Sequence, residues 1–342
     1  MALNDLKVRE ISKRAFLSSQ GTLIGPITDL FSLGIPKVTT RLFDAIIAVD
    51  FSAAEGPKKG EGSVWIGIMK RDARFRPTYE DKNPATRLEA MTILKELLLD
   101  FKKRGEKVLI GFDFALGFPT GTSQKLGLEL KAQDLWTFVT KNIVDKPDNT
   151  NNRFAVAAKM NRLMTDQAYP FWGCPKNAAQ KWLSTLKPAD FGSFPEYRLT
   201  EIVARQKKAP AKSLWQMHGA GVVGGQSLLG IAHIEGLKQT PTLKGQLWPF
   251  ETGLKTLSAD DLEYSDWVGC EIYPSLFEKI YEFTSNENEV KDQAQVRLVC
   301  ESLTKLDDQG ELGILFAGPS RLTESERYIV ESEEGWILGL MD

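Results

Sequence analysis

The sequence predicts an α/β fold built on a mixed sheet in the order β-β-β-α-β-α-β-α, with a large insertion after the fourth strand. Three observations lead there. Two short apolar runs of strand length, Phe43 to Asp50 and Val108 to Asp113, each close on an aspartate. Between them lie two further strand-like runs on short connections and one stretch with apolar residues at helical spacing. After the second run, the stretch 117–212 is too long for a loop and reads as an inserted subdomain with structure of its own.

Taken in order, residues 1–40 read as a helical extension, with apolar Leu3, Leu6, Val8, Ile11 and Phe16, followed by a connection punctuated by Gly25-Pro26 and Gly34-Ile35-Pro36. The main domain, 41–342, opens with Phe43 to Asp50, the kind of run expected of a strand buried on both faces. Ser63 to Met69 follows a loop rich in Gly, Pro and Lys as a second strand, and Phe75 to Glu80 reads as a third, which makes an antiparallel meander. From Pro84 to Arg104, Leu88, Met91, Leu94, Leu97, Leu98 and Phe101 recur at helical spacing, with Gly105 as terminator. Beyond the insertion come a helix from Gly225 to Leu237, strands near Leu247 to Phe250 and at Trp267 to Tyr273, and a last helix from about Glu289 to Leu306.

With 342 residues and 42% hydrophobic content the chain can bury a full core. Its 43 basic and 45 acidic side chains give a net charge of −2, which weighs against tight nonspecific binding to nucleic acid. Runs such as Lys102-Lys103-Arg104 read first as solvated faces. Cys174, Cys270 and Cys300 are widely spaced and form no C-x-x-C pair, so neither a zinc knuckle nor a disulfide framework is expected, and a cytoplasmic setting fits. The first residues lack the continuous apolar stretch of a signal peptide, and no segment has the roughly 20 apolar residues that span a bilayer.

Four acids stand out by position: Asp50 and Asp113 end strands, Glu271 lies within one, and Asp292 opens the last helix. An ionised acid in an apolar strand is costly unless a cation or hydrogen bonds compensate, so acids converging on one sheet edge favour a bound metal. Oxygen donors without His or Cys point to Mg²⁺ or Mn²⁺, and a pair of such ions activates water and stabilises the leaving oxygen in phosphodiester hydrolysis. Singly, each of the four has a plainer use as an N-cap, a turn former or a salt-bridge partner, with Glu271 readable as the partner of an arginine and Asp292 as a favourable charge at a helix start. Ser52 either turns its hydroxyl into the same site or completes the turn after Asp50.

The histidines His218 and His233 lack triad partners and read as structural, and no G-x-S-x-G elbow is present. Gly219, Gly221 and Gly224 form a G-x-G-x-x-G match at the start of a helix, readable as a phosphate or nucleotide contact or as close backbone packing. A dinucleotide site would also need a good strand before it and an acid ending a second strand about 20 residues later. Leu214 to Met217 is only a short lead, and Glu235 falls inside the helix.

The strand and helix order, with carboxylates closing the first and fourth strands, is that of the RNase H-like core, in which those two strands are neighbours. The segments VDFSAAEGPKKGEGSVW, GFDFALGFPTG, PFWGCP, YRLTE, LWQMHGAGVVGGQSLLGI, LWPFET, CEIYPSLF, KDQAQVRL and EEGWILGL resemble an uncharacterised bacterial family of predicted nucleases with an RNase H fold. Members sometimes carry labels for molybdopterin-guanine dinucleotide or cobalamin biosynthesis. The resemblance runs from about residue 43 to the end. It implies that Asp50 is the first-strand acid, Asp113 the fourth-strand acid, Glu271 the glutamate of an E-x-Y-P element and Asp292 the acid of the last helix. Many members place a second acid and an alanine three and four residues after that last acid, where this chain has Gln295 and Val296.

Three functions follow as expectations: a Mg²⁺- or Mn²⁺-dependent nuclease, a nucleotide-binding ATPase or cofactor-pathway protein on a related actin-like core, and a non-catalytic binding module with a vestigial site.

Overall fold

The computed structural model describes residues 41–207, 209, 211–280 and 289–342, and within 1–40 two short strands. Those strands pair antiparallel, Phe16 with Ile24 and Leu17 with Leu23. Phe16, expected in a helix, is thus in a strand, where an aromatic side chain is favoured; Leu3 to Ile11 lie outside the described residues. Residues 41–342 form one compact unit.

Six strands build its sheet: β1 (Ala45–Asp50), β2 (Trp65–Arg71), β3 (Pro77–Lys82), β4 (Val108–Phe112), β5 (Gly245–Leu247) and β6 (Trp267–Glu271), in spatial order β3-β2-β1-β4-β6-β5. The first three run as an antiparallel meander. From β1 onward neighbours are parallel, so β1 and β4 lie side by side. A parallel neighbour requires a crossover. Between β3 and β4 it is α1 (Arg87–Lys103), capped by the Thr86 side chain on the Glu89 N–H and ended at Gly105 with φ +72°.

The period of two in a strand sorts β1 between two cores. Ala45, Ile47 and Val49 face one with α1 residues Ala90, Leu94, Leu98 and Phe101. Ile46 and Ala48 face the other, with Val296, Val299, Cys300 and Leu303 of α7 (Lys291–Asp308). Helices therefore cover both faces, which explains why β1, β4 and β6 are near-continuous apolar runs. Phe75, expected to open the third strand, is instead a turn residue with φ +58°, and it is 72% exposed. The edge strand β3 carries Glu80, Asp81 and Lys82, charges that discourage pairing with another chain.

The stretch 117–212, read as an inserted subdomain, lies within the compact unit 41–342. Its helices α2 (Ala132–Asn142) and α3 (Arg153–Thr165) put Leu135, Trp136, Val139, Val156 and Met160 into the same core as α1 and α5 (Gly224–Lys238). A third helix, α4 (Leu199–Gln206), packs Val203 and Ala204 into the opposite core, which α6 (Pro274–Ile280) also enters with Leu276 and Phe277. Among the described residues no helix is long and apolar enough to cross a membrane.

Two close approaches position the site. A Cβ on Gly67 of β2 would come within 3.0 Å of the Val296 backbone oxygen, so glycine lets α7 settle on the sheet with Asp292 in its first turn. A Cβ on Gly230 of α5 would meet the Phe114 ring at 2.2 Å, so the missing side chain seats the residue next to Asp113.

Candidate active site

The carboxyl ends of β1, β4 and β6 open into a cleft of about 800 Å³, lined in part by Asp50, Asp113, Glu271 and Asp292. Ligands of open α/β sheets characteristically sit outside these strand ends.

Parity decides which acids meet. Asp50 continues the Ile46–Ala48 face and Asp113 continues the Leu109–Gly111 face, both toward α7 and Asp292. Burial pushes the Asp50 carboxyl well above the usual carboxylate range, and the negative charges of Asp113 and then Asp292 push it the same way, against a pull from Lys291. The Asp113 N–H donates to the Val49 carbonyl at 2.9 Å, extending the β1–β4 ladder by one step and fixing the backbone at this acid. Asp292 accepts the Gly62 N–H at 2.5 Å from the first turn of α7, so it serves the loop and the helix dipole as well.

Glu271 departs from the expected set. It lies in register with Phe112, whose alternate residues Val108 and Ile110 face α1, so the pleat turns it away from the three aspartates. Both of its oxygens are engaged by Arg198, Nη2 to Oε1 at 2.6 Å and Nη1 to Oε2 at 2.9 Å. Arg198 Nε also donates to Glu201 Oε1 at 2.8 Å, and its Nη1 to the Glu334 carbonyl at 2.7 Å. Burial opposes the Arg198 charge, but Glu201 and Glu271 outweigh it and hold the guanidinium protonated. Glu201 is pushed upward by burial, which Arg198 counters and Glu271 reinforces. Next to it, burial raises Glu334 to about 7 against the N–H groups of Leu199 and Thr120.

The loop after Asp50 is anchored from below. Ser52 Oγ donates to the Gly62 carbonyl at 2.8 Å and accepts the Ala54 N–H at 3.2 Å, so its hydroxyl completes the turn while the residue lines the cleft. Buried Arg87 donates to the carbonyls of Ser52 and Ala54 and is clamped by Asp145, whose Oδ2 also meets His233 Nε2 at 2.7 Å. Burial opposes the Asp145 charge, yet Arg87 and His233 outweigh it and hold the carboxyl at about 2. His233, read from the sequence as structural and without triad partners, meets the Asp145 carboxylate here. His218, also read as structural, lines the cleft.

The glycines divide. Gly219 and Gly221 line the cleft with φ of +128° and +65°, a conformation that favours glycine. Gly224 packs instead: a Cβ there would come within 2.3 Å of the Leu214 carbonyl oxygen. Leu214 to Met217 contributes one isolated bridge, Gln216 to Trp172, and no strand, so the dinucleotide fingerprint lacks its structural context.

Among the described residues no three His, Cys, Asp or Glu side chains are gathered closely enough to hold a metal ion as they stand. The chemistry of the aspartate set nevertheless fits a hard cation, since burial and the charges of Asp113 and Asp292 all disfavour the ionised Asp50 carboxyl and a cation would offset them. Sequence reasoning missed Arg198, Glu201, Glu334, Arg87 and Arg153 as residues of the site and its supports. The Arg-x-x-Glu spacing in YRLTE was the one local hint. Comparison with protein-family models, with curated proteins and with solved structures finds no match to this chain.

Proposed function

We propose that the cleft is the active site of a metal-dependent phosphodiesterase acting on nucleic acid, on an RNase H-like core. The observation that carries this is the convergence of Asp50, Asp113 and Asp292 on one cleft, where burial first, and then the charges of Asp113 and Asp292, raise the proton affinity of Asp50. The sheet order, with its antiparallel meander leading into parallel β1, β4 and β6, supports the same reading. Asp50, Asp113 and Asp292 would hold Mg²⁺ or Mn²⁺, which when bound supplies Lewis acidity and lowers the pKa of water. The chain's own part is to keep these carboxylates on one pleat, to fix the loop after Asp50 through Arg87, and to bring Lys212 and Lys291 to the cleft wall as partners for phosphate. Glu271, held by Arg198, acts in this reading as a positioning residue.

Titration of the full chain with Mn²⁺ followed by calorimetry tests the site, together with Mg²⁺- or Mn²⁺-dependent cleavage of DNA, RNA and branched substrates. Wild type is expected to bind and cleave, and Asp50→Asn to lose both. If no substrate is cut and the Asp50→Asn isotherm matches wild type, the reading is wrong.

A second reading, a non-catalytic binding module with a vestigial site, is favoured by the Arg198–Glu271 pair and by Gln295 on the cleft wall where the family resemblance implies an acid. It predicts binding without turnover. The ATPase reading rests on Asp50-Phe51-Ser52 and on Gly219 to Gly225 as phosphate contacts; an actin-like core is usually duplicated, whereas the described residues of 41–342 build one six-stranded sheet.

A further inference from the structure

We propose that the cleft admits the free end of a single nucleic-acid strand, or a free dinucleotide, and excludes duplexes and closed strands. This names the substrate class for the phosphodiesterase reading and rests on it; the mode of entry rests on how the cleft is walled, sized and charged.

The walls come first. A strand lying along the sheet edge would pass the carboxyl ends of β1, β4 and β6 in turn, and among the described residues both sides of that path are bridged. At the β1 side, the loop after Asp50 is tied to a helix on each face of the sheet. Gln226 of α5 donates its side-chain amide to the Phe51 carbonyl, and the Gly62 N–H donates to Asp292 of α7 at 2.5 Å. Gly225 lets the first of these contacts close, since a Cβ there would fall 3.2 Å from the Ala53 Cβ. At the β6 side, Arg198 at the start of α4 binds both oxygens of Glu271, whose carbonyl accepts the Leu338 N–H of the carboxyl-terminal segment at 2.9 Å. Arg198 also reaches the Glu334 carbonyl, which joins α4 to that segment. The cleft is thus a pit and not a trough, and a continuous strand has no way along it.

Size and charge agree. Cavities that enclose a small molecule hold roughly 300–1,000 Å³, and the 800 Å³ of this one suits a ligand of dinucleotide size. Six acidic and four basic side chains line it. Of the basic ones, Arg153 is paired with Glu55, and Arg198 with Glu201 and Glu271. Lys212 and Lys291 are the remaining two, enough for one or two phosphates, whereas duplex binding commonly neutralises about 6–10. Much of the other wall is apolar, with Ala53, Ala220, Val222, Val223 and the half-buried Tyr273. Such a surface accepts the face of an unpaired base, which a single strand offers and a duplex keeps stacked inside.

The test gives the full chain, in Mn²⁺, four substrates: a 5′-phosphorylated deoxythymidine dinucleotide, a linear single strand, the same strand closed into a circle, and a blunt duplex of that sequence. The dinucleotide and the linear strand are expected to be cut, and the circle and the duplex to lose cleavage altogether. A circle or duplex cut as fast as the linear strand overturns the proposal while leaving the phosphodiesterase reading intact. Calorimetry in Mn²⁺ with the same four ligands separates the opposite case. If nothing is cut, the phosphodiesterase reading fails, and the mode of entry is decided by binding: saturable binding of the dinucleotide and none of the circle supports it. No binding of the dinucleotide, or a circle bound as tightly as the linear strand, overturns it.

Discussion

At the scale of single residues, Asp50 and Asp145 show how opposite environments give two carboxylates opposite roles. Asp145 meets Arg87 and His233, its carboxyl held at about 2, and so contributes stability above the ordinary aspartate range that is lost as pH falls toward that value. Replacing it by alanine leaves the fully buried Arg87 guanidinium without its counter-charge. We expect Asp145→Ala to cost about 3–5 kcal/mol in urea denaturation, with the loop after Asp50 loosened as well. Asp50 has the reverse sign. Its folded proton affinity is raised above the ordinary aspartate value of 3.8, so it penalises the metal-free fold increasingly as pH rises past that value. Asp50→Asn should therefore stabilise the metal-free chain at neutral pH, on the order of 1 kcal/mol, while removing stabilisation by Mn²⁺. Thermal melts with and without Mn²⁺ check both signs; a variant less stable than wild type without metal would show that Asp50 is a structural acid. That Asp50 ends a buried strand was legible from IIAVD, because burial on both faces leaves its mark as an unbroken apolar run. The partner of Glu271 was not, since Arg198 lies 73 residues away in a stretch without clear periodicity.

At the scale of elements, the strands and the long helices follow their sequence patterns to within a few residues, because each pattern reports burial of a local face. The departures come where local and tertiary preferences compete. Leu88 shared the helical spacing of α1 yet is 49% exposed, while Ala90 is buried in the core; spacing marks a stripe, and the neighbours decide its centre. Glycines carry the contacts that periodicity does not encode. Gly230 reads as an unremarked position inside α5, yet the Phe114 ring occupies the place of its side chain. Gly230→Ala gains helix propensity of about 1 kcal/mol but must displace that ring, at a cost of about 1–3 kcal/mol for overpacking. Phe114 adjoins Asp113, so the expected outcome is a modest net loss of stability in denaturant titration together with weakened Mn²⁺ binding. An alanine variant with unchanged Mn²⁺ affinity would show that α5 does not position Asp113.

At the scale of the whole molecule, the carboxyl-terminal segment closes the structure. Trp336, Ile337, Leu338 and Leu340 are buried with α7 in one core, and the Leu338 N–H donates to the Glu271 carbonyl at 2.9 Å. Glu333 accepts the N–H groups of Gly121 and Ser123, and Glu334 those of Thr120 and Leu199. These contacts join positions more than 200 residues apart in the case of Thr120, beyond the reach of any local pattern. They also couple global stability to pH. Glu334 is raised from 4.5 to about 7, so the folded chain holds a proton that the unfolded chain has released across that window. Stability must then fall as pH rises from the lower value to the higher, by about 3 kcal/mol if this group acted alone. Glu334→Gln removes the titration but puts an amide where two N–H donors converge, so the variant should be less stable near the acid end of the window and lose this part of the slope. Urea unfolding of both chains at steps across the window reads the difference directly: parallel pH profiles would mean that Glu334 stays ionised, with Arg198 supplying the compensating charge.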